Sequence, residues 1–212
     1  MSIGIIGSGA LGSTLARAFA ANGIAATISN SRGPGSLADL VAELGPSITA
    51  GTVEEAAAAD IVIAAMRWTD AERVLGALPA WNNRIVIDAL NPLEFLEPGA
   101  PADPSNPLAA YGVKALDIGS SASSSIFETW VAGARVVKAF NHLDARVLTN
   151  AAASGGQRVL FYSGDDAGAK ADVRKILDAM GFFAIDLGPL AVGAPLAQLP
   201  FGPLSTVELV KI

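Results

Sequence analysis

The chain has 212 residues, 51% of them hydrophobic and 16% charged, which suits one large domain or a main domain with a small appendage. It contains no Cys and a single His, so disulfides, thiolate metal sites and cysteine nucleophiles are excluded, no metal site is expected, and any Ser-His-Asp triad would have to use His142. A net charge of −6 without a basic run argues against nucleic acid or an anionic membrane as partner, and no apolar run approaches the roughly 18 residues of a membrane span.

Met1-Ser2-Ile3-Gly4 leads straight into a strand-like run with no basic leader, so no signal peptide is expected and the expected address is the cytoplasm. Short apolar runs predict strands at residues 3–6, 25–29, 60–65, 84–89, 135–139, 159–162 and 184–187. Several are rich in Ile and Val, which suits a sheet covered on both faces. Helices are predicted between them at 11–22, 36–44, 53–59, 69–78, 123–131 and 167–180. Asn22-Gly23 and Met180-Gly181 supply C-terminal stops, and Asp165-Asp166 can cap the last long helix. Strand–helix alternation of this kind predicts a mostly parallel sheet with right-handed crossovers. The proline-rich stretch 91–106 reads as a loop, and the tail from Gly188, with Pro189, Pro195, Pro200 and Pro203, as an irregular wrap. The run 135–139 is expected to complete the main sheet.

The strongest motif is Gly7-Ser8-Gly9-Ala10-Leu11-Gly12, a G-x-G-x-x-G that follows a predicted strand and opens an Ala-rich helix. Gly7 would permit the tight turn, Gly9 the approach of a pyrophosphate and Gly12 close helix–strand contact. The anion would sit on unpaired N–H groups at the helix N-terminus. An NAD site places an acid at the end of the second strand to bind the ribose. Here that segment reads Ile28-Ser29-Asn30-Ser31-Arg32-Gly33-Pro34, with no acid before Asp39. A carboxylate would repel a 2′-phosphate, whereas a hydroxyl, an amide and a guanidinium bind it. Asn30, Ser31 and Arg32 therefore point to NADP(H). The plainer reading makes Arg32 a solvated loop charge and Ser31 a helix cap.

These residues, together with Val136-Val137-Lys138-Ala139-Phe140-Asn141, Gly164-Asp165-Asp166 and Asp186-Leu187-Gly188-Pro189-Leu190, occur in a characteristic order. The set resembles the NADPH-dependent deazaflavin (coenzyme F-420) oxidoreductase family and is similar to the reductase domain of the six-transmembrane metalloreductases. The resemblance covers nearly the whole chain. It implies an α/β fold of Rossmann type, a doubly wound, mostly parallel sheet with a small C-terminal lobe, with NADPH as hydride donor and a homodimer. Carried over residue by residue, Ser31 and Arg32 match the 2′-phosphate binders, Gly9, Ala10 and Leu11 match the pyrophosphate loop, and Met66-Arg67-Trp68 border the nicotinamide side. The tail Pro200-Phe201-Gly202-Pro203-Leu204 is similar to that of shorter bacterial members, whose acceptor the resemblance does not fix.

Ligands in open α/β sheets bind beyond the carboxyl ends of the strands. There, Trp68 would border an acceptor ring or pack over a helix end, and Arg67 would hold an anionic group. Asn91 would bond the nicotinamide ribose or amide, or simply form a turn with Pro92. Ser120 and Ser121 would line the substrate pocket, while the adjoining serines could instead cap a helix through Ser125 and Glu128. His142 is a pocket candidate or a structural residue. Lys138 would be buried in a strand, so its amine either runs out of the sheet, the preferred reading, or binds a polar group. No side chain is assigned as catalytic, because the hydride step needs positioning in a dry cleft more than a protein acid.

The expectation is an NADP-binding Rossmann domain over 1–140 and a small C-terminal α/β lobe over 141–212. It would pass hydride between NADP(H) and a planar small-molecule acceptor, a flavin or deazaflavin. Reduction of a small carbonyl or imine compound, or a non-catalytic NADPH-sensing module, are the alternatives.

Overall fold

The computed structural model describes every residue except Pro98, Ala100, Pro101, Ala102 and Ser120. β1 (Ile3–Ile6) turns into α1 (Ala10–Ala21), which returns to β2 (Ala26–Ser29). A 3-10 turn then leads into α2 (Ala38–Leu44), β3 (Ile48–Ala50), α3 (Val53–Ala57), β4 (Ile61–Ala64) and α4 (Trp68–Leu75). Next come β5 (Ile85–Asp88), β6 (Leu93–Phe95), β7 (Val113–Ala115), α5 (Ser123–Trp130) and β8 (Arg135–Ala139). The chain closes with β9 (Ala152–Ala153), β10 (Gly156–Gly164), α6 (Ala167–Ala179), β11 (Phe183–Asp186), α7 (Leu190–Ala197) and β12 (Val210–Lys211).

The main sheet has the order β11-β10-β8-β5-β4-β1-β2-β3. Pairing is parallel from β3 through to β8. This is the doubly wound Rossmann-type arrangement that the strand–helix alternation predicts. Its order reverses at β1, which has β2 on one side and β4 on the other, and the crevice over their carboxyl ends is the natural ligand position.

Both faces are covered, and the strands alternate between them. Along β4, Ile61 and Ile63 join the core with Leu15 and Phe19 of α1, while Val62 and Ala64 pack with Trp68 and Leu75 of α4. Helix α1 buries Gly12, Leu15, Ala16 and Phe19 as one stripe, the spacing of a helix against a sheet. Asp166 caps α6 by accepting from the Ala169 N–H at 2.6 Å. The N-cap of α5 is Ala122 with no side-chain bond, so the Ser125–Glu128 box does not form. Thr52 and Glu55 make a reciprocal capping box on α3 instead.

Three stretches differ from the sequence expectation. The sheet does not stop at β8: β10 adds antiparallel to it and β11 parallel to β10, so the segment after Asn141 extends the same sheet. The proline-rich stretch contributes β6, which forms an antiparallel ribbon with β7 in the register Leu93↔Ala115. The tail contains α7 despite Pro195, because its buried face of Leu190, Gly193, Ala194 and Ala197 lies on the sheet. Gly193 permits that approach, since a Cβ there would lie 2.5 Å from the Ser163 Cβ. Among the described residues no helix is long and apolar enough to cross a membrane.

Candidate functional site

The glycine loop has the geometry its residues require. Gly7 has φ 114°, a region that side chains rarely adopt. A Cβ on Gly12 would lie 1.9 Å from the Gly7 carbonyl oxygen, so only glycine lets α1 start this close to the loop. Gly9 is the N-cap of α1, no side chain caps the helix, and its first turn holds no acid. Among the described residues, and apart from its own chain neighbours and helix backbone, nothing lies within 4 Å of the point where a Gly9 Cβ would stand. The helix therefore presents unpaired N–H groups and its positive end to open space, an environment that stabilises a phosphate.

Asn30 ties the end of β2 to this loop. Its Nδ2 donates to the Ser8 and Ser36 hydroxyls at 3.0 Å each, and its Oδ1 accepts from the Arg32 N–H at 2.9 Å. The amide is thus a brace that shapes the turn, leaving Ser31 and Arg32 exposed at its rim. Ser8, Ser31 and Arg32 line a depression of about 260 Å³ together with Asp70 and Arg73 of α4. Arg73 reaches Asp70 at 3.1 Å. Two guanidinium groups against one carboxylate give this wall the sign that a phosphate ester needs.

A second depression of about 400 Å³ adjoins the first, with Met66 lining both. It is lined by Ala10, Leu11, Met66, Arg67 and Trp68 together with Leu90, Asn91, Leu93, Phe95 and Ala145. Met66 follows β4, so the two depressions meet near the carboxyl end of that strand and are together called the trough. Trp68 is buried and meets Trp130 edge-on, centroids 4.7 Å apart, and it also lines this depression. The Arg67 guanidinium lies 5.7 Å from the Phe95 ring centroid, a cation–π contact across the mouth.

Asn91 is heavily engaged. Its Nδ2 donates to the Asn141 carbonyl at 2.7 Å, and its Oδ1 accepts from Asn141 Nδ2 at 3.1 Å and from the Leu199 N–H at 2.9 Å. It therefore pins the C-terminal tail to the end of β5 while lining the trough.

Lys138 does not send its amine outward. It is buried, and its Nζ donates to Asp88 Oδ2 at 3.0 Å and to the Leu90 carbonyl. The reason is the strand register, which sets Asp88 of β5 beside Lys138 of β8 on the same face. Burial pushes the Lys138 ammonium below the usual lysine range, and the Asp88 carboxylate opposes that shift.

The remaining candidates are not gathered here. Ser121 lines a separate depression of about 410 Å³ with Gln198 and Phe201. Ser120 lies outside the described residues. His142 does not line the trough: its ring is buried against Phe161, centroids 4.9 Å apart, and neither nitrogen has a hydrogen-bond partner among the described residues. Burial lowers its pKa to about 4. Conversely, Asp70, Arg73 and Phe95 join the trough without having been singled out in the sequence. The spacing Asp70-x-x-Arg73, one turn apart on a helix that follows a central strand, was a readable signal for the first pair.

Residues 2–92 match the family described as NADP oxidoreductase, coenzyme F420-dependent. The hypothetical protein SMa0349 from Sinorhizobium meliloti has a crystal structure similar to the whole chain, with 37% identity, 100% of this chain and 97% of that one covered, and a TM-score of 0.87. A candidate F420-dependent NADP reductase from Arthrobacter sp. FB24 is 26% identical over 90% of this chain and 86% of its own, with a TM-score of 0.67. A reductive aminase from Aspergillus terreus, solved with NADPH, is 21% identical over 93% of this chain and 58% of its own, with a TM-score of 0.62, a likeness of fold alone. No curated protein sequence matches significantly.

Proposed function

The chain belongs to the family of coenzyme F420-dependent NADP oxidoreductases, and from that premise we propose that it passes hydride between NADP(H) and a planar acceptor of flavin or deazaflavin type. It is an NADP-dependent oxidoreductase; the identity of the acceptor is the proposal. The observation that carries it is that two depressions meet at Met66, one polar and cationic, the other largely apolar.

Ser31 and Arg32 would hold the 2′-phosphate, and the α1 N-terminus at Gly9, Ala10 and Leu11 the pyrophosphate. The nicotinamide would then lie by Met66, Leu90 and Asn91. When bound, NADPH supplies the hydride. The protein contributes binding, orientation and exclusion of water. The walls formed by Trp68, Leu93 and Phe95 suit a flat ring, and Arg67 suits an anionic substituent on it. No side chain in the trough needs to deliver a proton, since hydride transfer requires the two reacting carbons, or carbon and nitrogen, held about 3–3.5 Å apart. A homodimer would give the exposed Phe201, Val192 and Ile212 a partner surface.

The test is to mix the protein with NADPH and, in turn, FMN, riboflavin, a deazaflavin, a quinone and a cyclic imine, following loss of nicotinamide absorbance. Turnover with FMN, riboflavin or the deazaflavin is expected. Turnover with the imine alone would move the protein to the carbonyl and imine reductases. Tight NADPH binding with turnover of none would favour a sensing module and contradict the proposal.

A further inference from the structure

The mechanism above leaves one buried ionic pair unused. Asp88 and Lys138 are 0% and 1% exposed, and they sit in the sheet beside the trough without lining it. Their partners are specific. Asp88 Oδ1 accepts from the Leu90 N–H at 3.0 Å, and Lys138 Nζ donates to the Leu90 carbonyl. Both polar groups of the Leu90 main chain are therefore held by the same ion pair. The Ser124 hydroxyl of α5 donates to Asp88 Oδ2 at 2.9 Å, fixing the carboxylate from a third element.

Leu90 is the residue at which β5 gives way to the wall of the trough. It lines the nicotinamide half between Ala89 and Asn91. A buried ion pair costs much of its attraction in lost hydration, and well-packed apolar residues commonly replace one with no loss of stability. Stability alone is thus a poor reason to keep a lysine and an aspartate in the middle of this sheet. Control of one backbone segment is a better one, because a fork of charged hydrogen bonds fixes both position and orientation.

We infer that Asp88 and Lys138 are positioning residues that set the Leu90–Asn91 wall at the height required to seat the nicotinamide, acting through the Leu90 main chain and without touching the cofactor. This rests on the dinucleotide reading above. It predicts a split between the two ends of the trough. The phosphate loop, Ser31 and Arg32 do not depend on Leu90, so the adenosine half should be indifferent to the pair.

The experiment compares two probes, adenosine 2′,5′-bisphosphate, which occupies only the adenosine half, and NADPH, which occupies both. The protein variant is Asp88→Leu/Lys138→Met, an apolar exchange chosen so that no buried charge is left unpaired. Calorimetry should show the bisphosphate bound within about twofold of the parent and NADPH weakened about tenfold, a loss of one decade in the ratio. The blue shift of bound NADPH fluorescence should shrink in parallel. Ser124→Ala, which removes one bond to the carboxylate and keeps the pair, should give the same change at smaller size and guards against a folding defect in the double variant. An unchanged ratio of the two affinities, or equal weakening of both probes, would overturn the inference. A parent protein that binds neither probe would overturn the dinucleotide reading itself and the inference with it.

Discussion

At the end of the trough proposed for the adenosine, the residues of the β1–α1–β2 unit, Gly7, Ser8, Gly9, Asn30, Ser31 and Arg32, lie close together in the chain and are joined by Asp70 and Arg73 of α4. At the end proposed for the nicotinamide, the start of α1 is joined by residues from the ends of β4 and β5, from α4, from β6 and from the segment after β8, and two of the bonds that hold Asn91 there span 50 and 108 positions of the chain. On the proposed reading the first end would recognise charge with exposed groups beside a glycine turn. The second would recognise shape with a lining set largely by distant parts of the chain. The former should respond to substitution in its affinity for one chemical group, the latter in how a ring is seated.

The largest expected effect tests the backbone on which the adenosine end rests. Gly12→Ala forces a Cβ to within 1.9 Å of the Gly7 oxygen, and neither partner is a side chain that can swing away. We expect loss of nucleotide binding and about 3 kcal/mol of stability, read from the denaturant midpoint. A variant that keeps both would show that the loop is far softer than its packing implies.

The next effect lies outside the trough, in the core behind the segment that follows β8. His142 titrates near 6.5 when unfolded and at about 4 when buried in the folded protein. Between those values the unfolded chain binds more protons, so stability rises with pH across the window and falls as pH drops from 6.5 toward 4. A shift of that size is worth about 3 kcal/mol. Urea unfolding at pH 7 and pH 4 should show the loss, and His142→Leu should remove most of it. An equal acid loss in that variant would place the sensitivity elsewhere. Asp144, lowered to about 2 chiefly by the Arg146 side chain, adds a separate loss only below its ordinary value of 3.8.

The smallest effect sharpens the charge account. Arg73 is exposed and already paired with Asp70, so its pull on a phosphate is screened. Arg73→Ala should weaken NADPH about threefold, leave NADH unchanged, and matter less at high salt. Equal weakening of both coenzymes would assign Arg73 to the adenine or to the fold.

The same contrast explains what could be read from residues alone. The β1–α1–β2 unit was legible because its signals are local: a glycine spacing, an apolar run before it and a polar tip after it. The end of β5 was not. Nothing near Lys138 in the chain announces Asp88, 50 residues earlier, so the sequence offers a polar partner only as an alternative and does not name it. The ribbon of β6 and β7 was hidden by the prolines between its strands, although Leu93-Glu94-Phe95 alternates as a strand does. Helix α7 was masked by Gly193 and Pro195, and the glycine there serves contact with β10. His142 stood out for being the lone histidine, which says nothing about where its ring points.

The central claim is that the tip of β2 selects the phosphorylated coenzyme. Titration calorimetry of the protein with NADPH and with NADH tests it directly, repeated on Arg32→Glu. The account expects NADPH to bind about 100-fold more tightly in the parent and that preference to vanish in the variant, with NADH little changed. Equal affinity for the two coenzymes in the parent, or a preference that survives in Arg32→Glu, would contradict it.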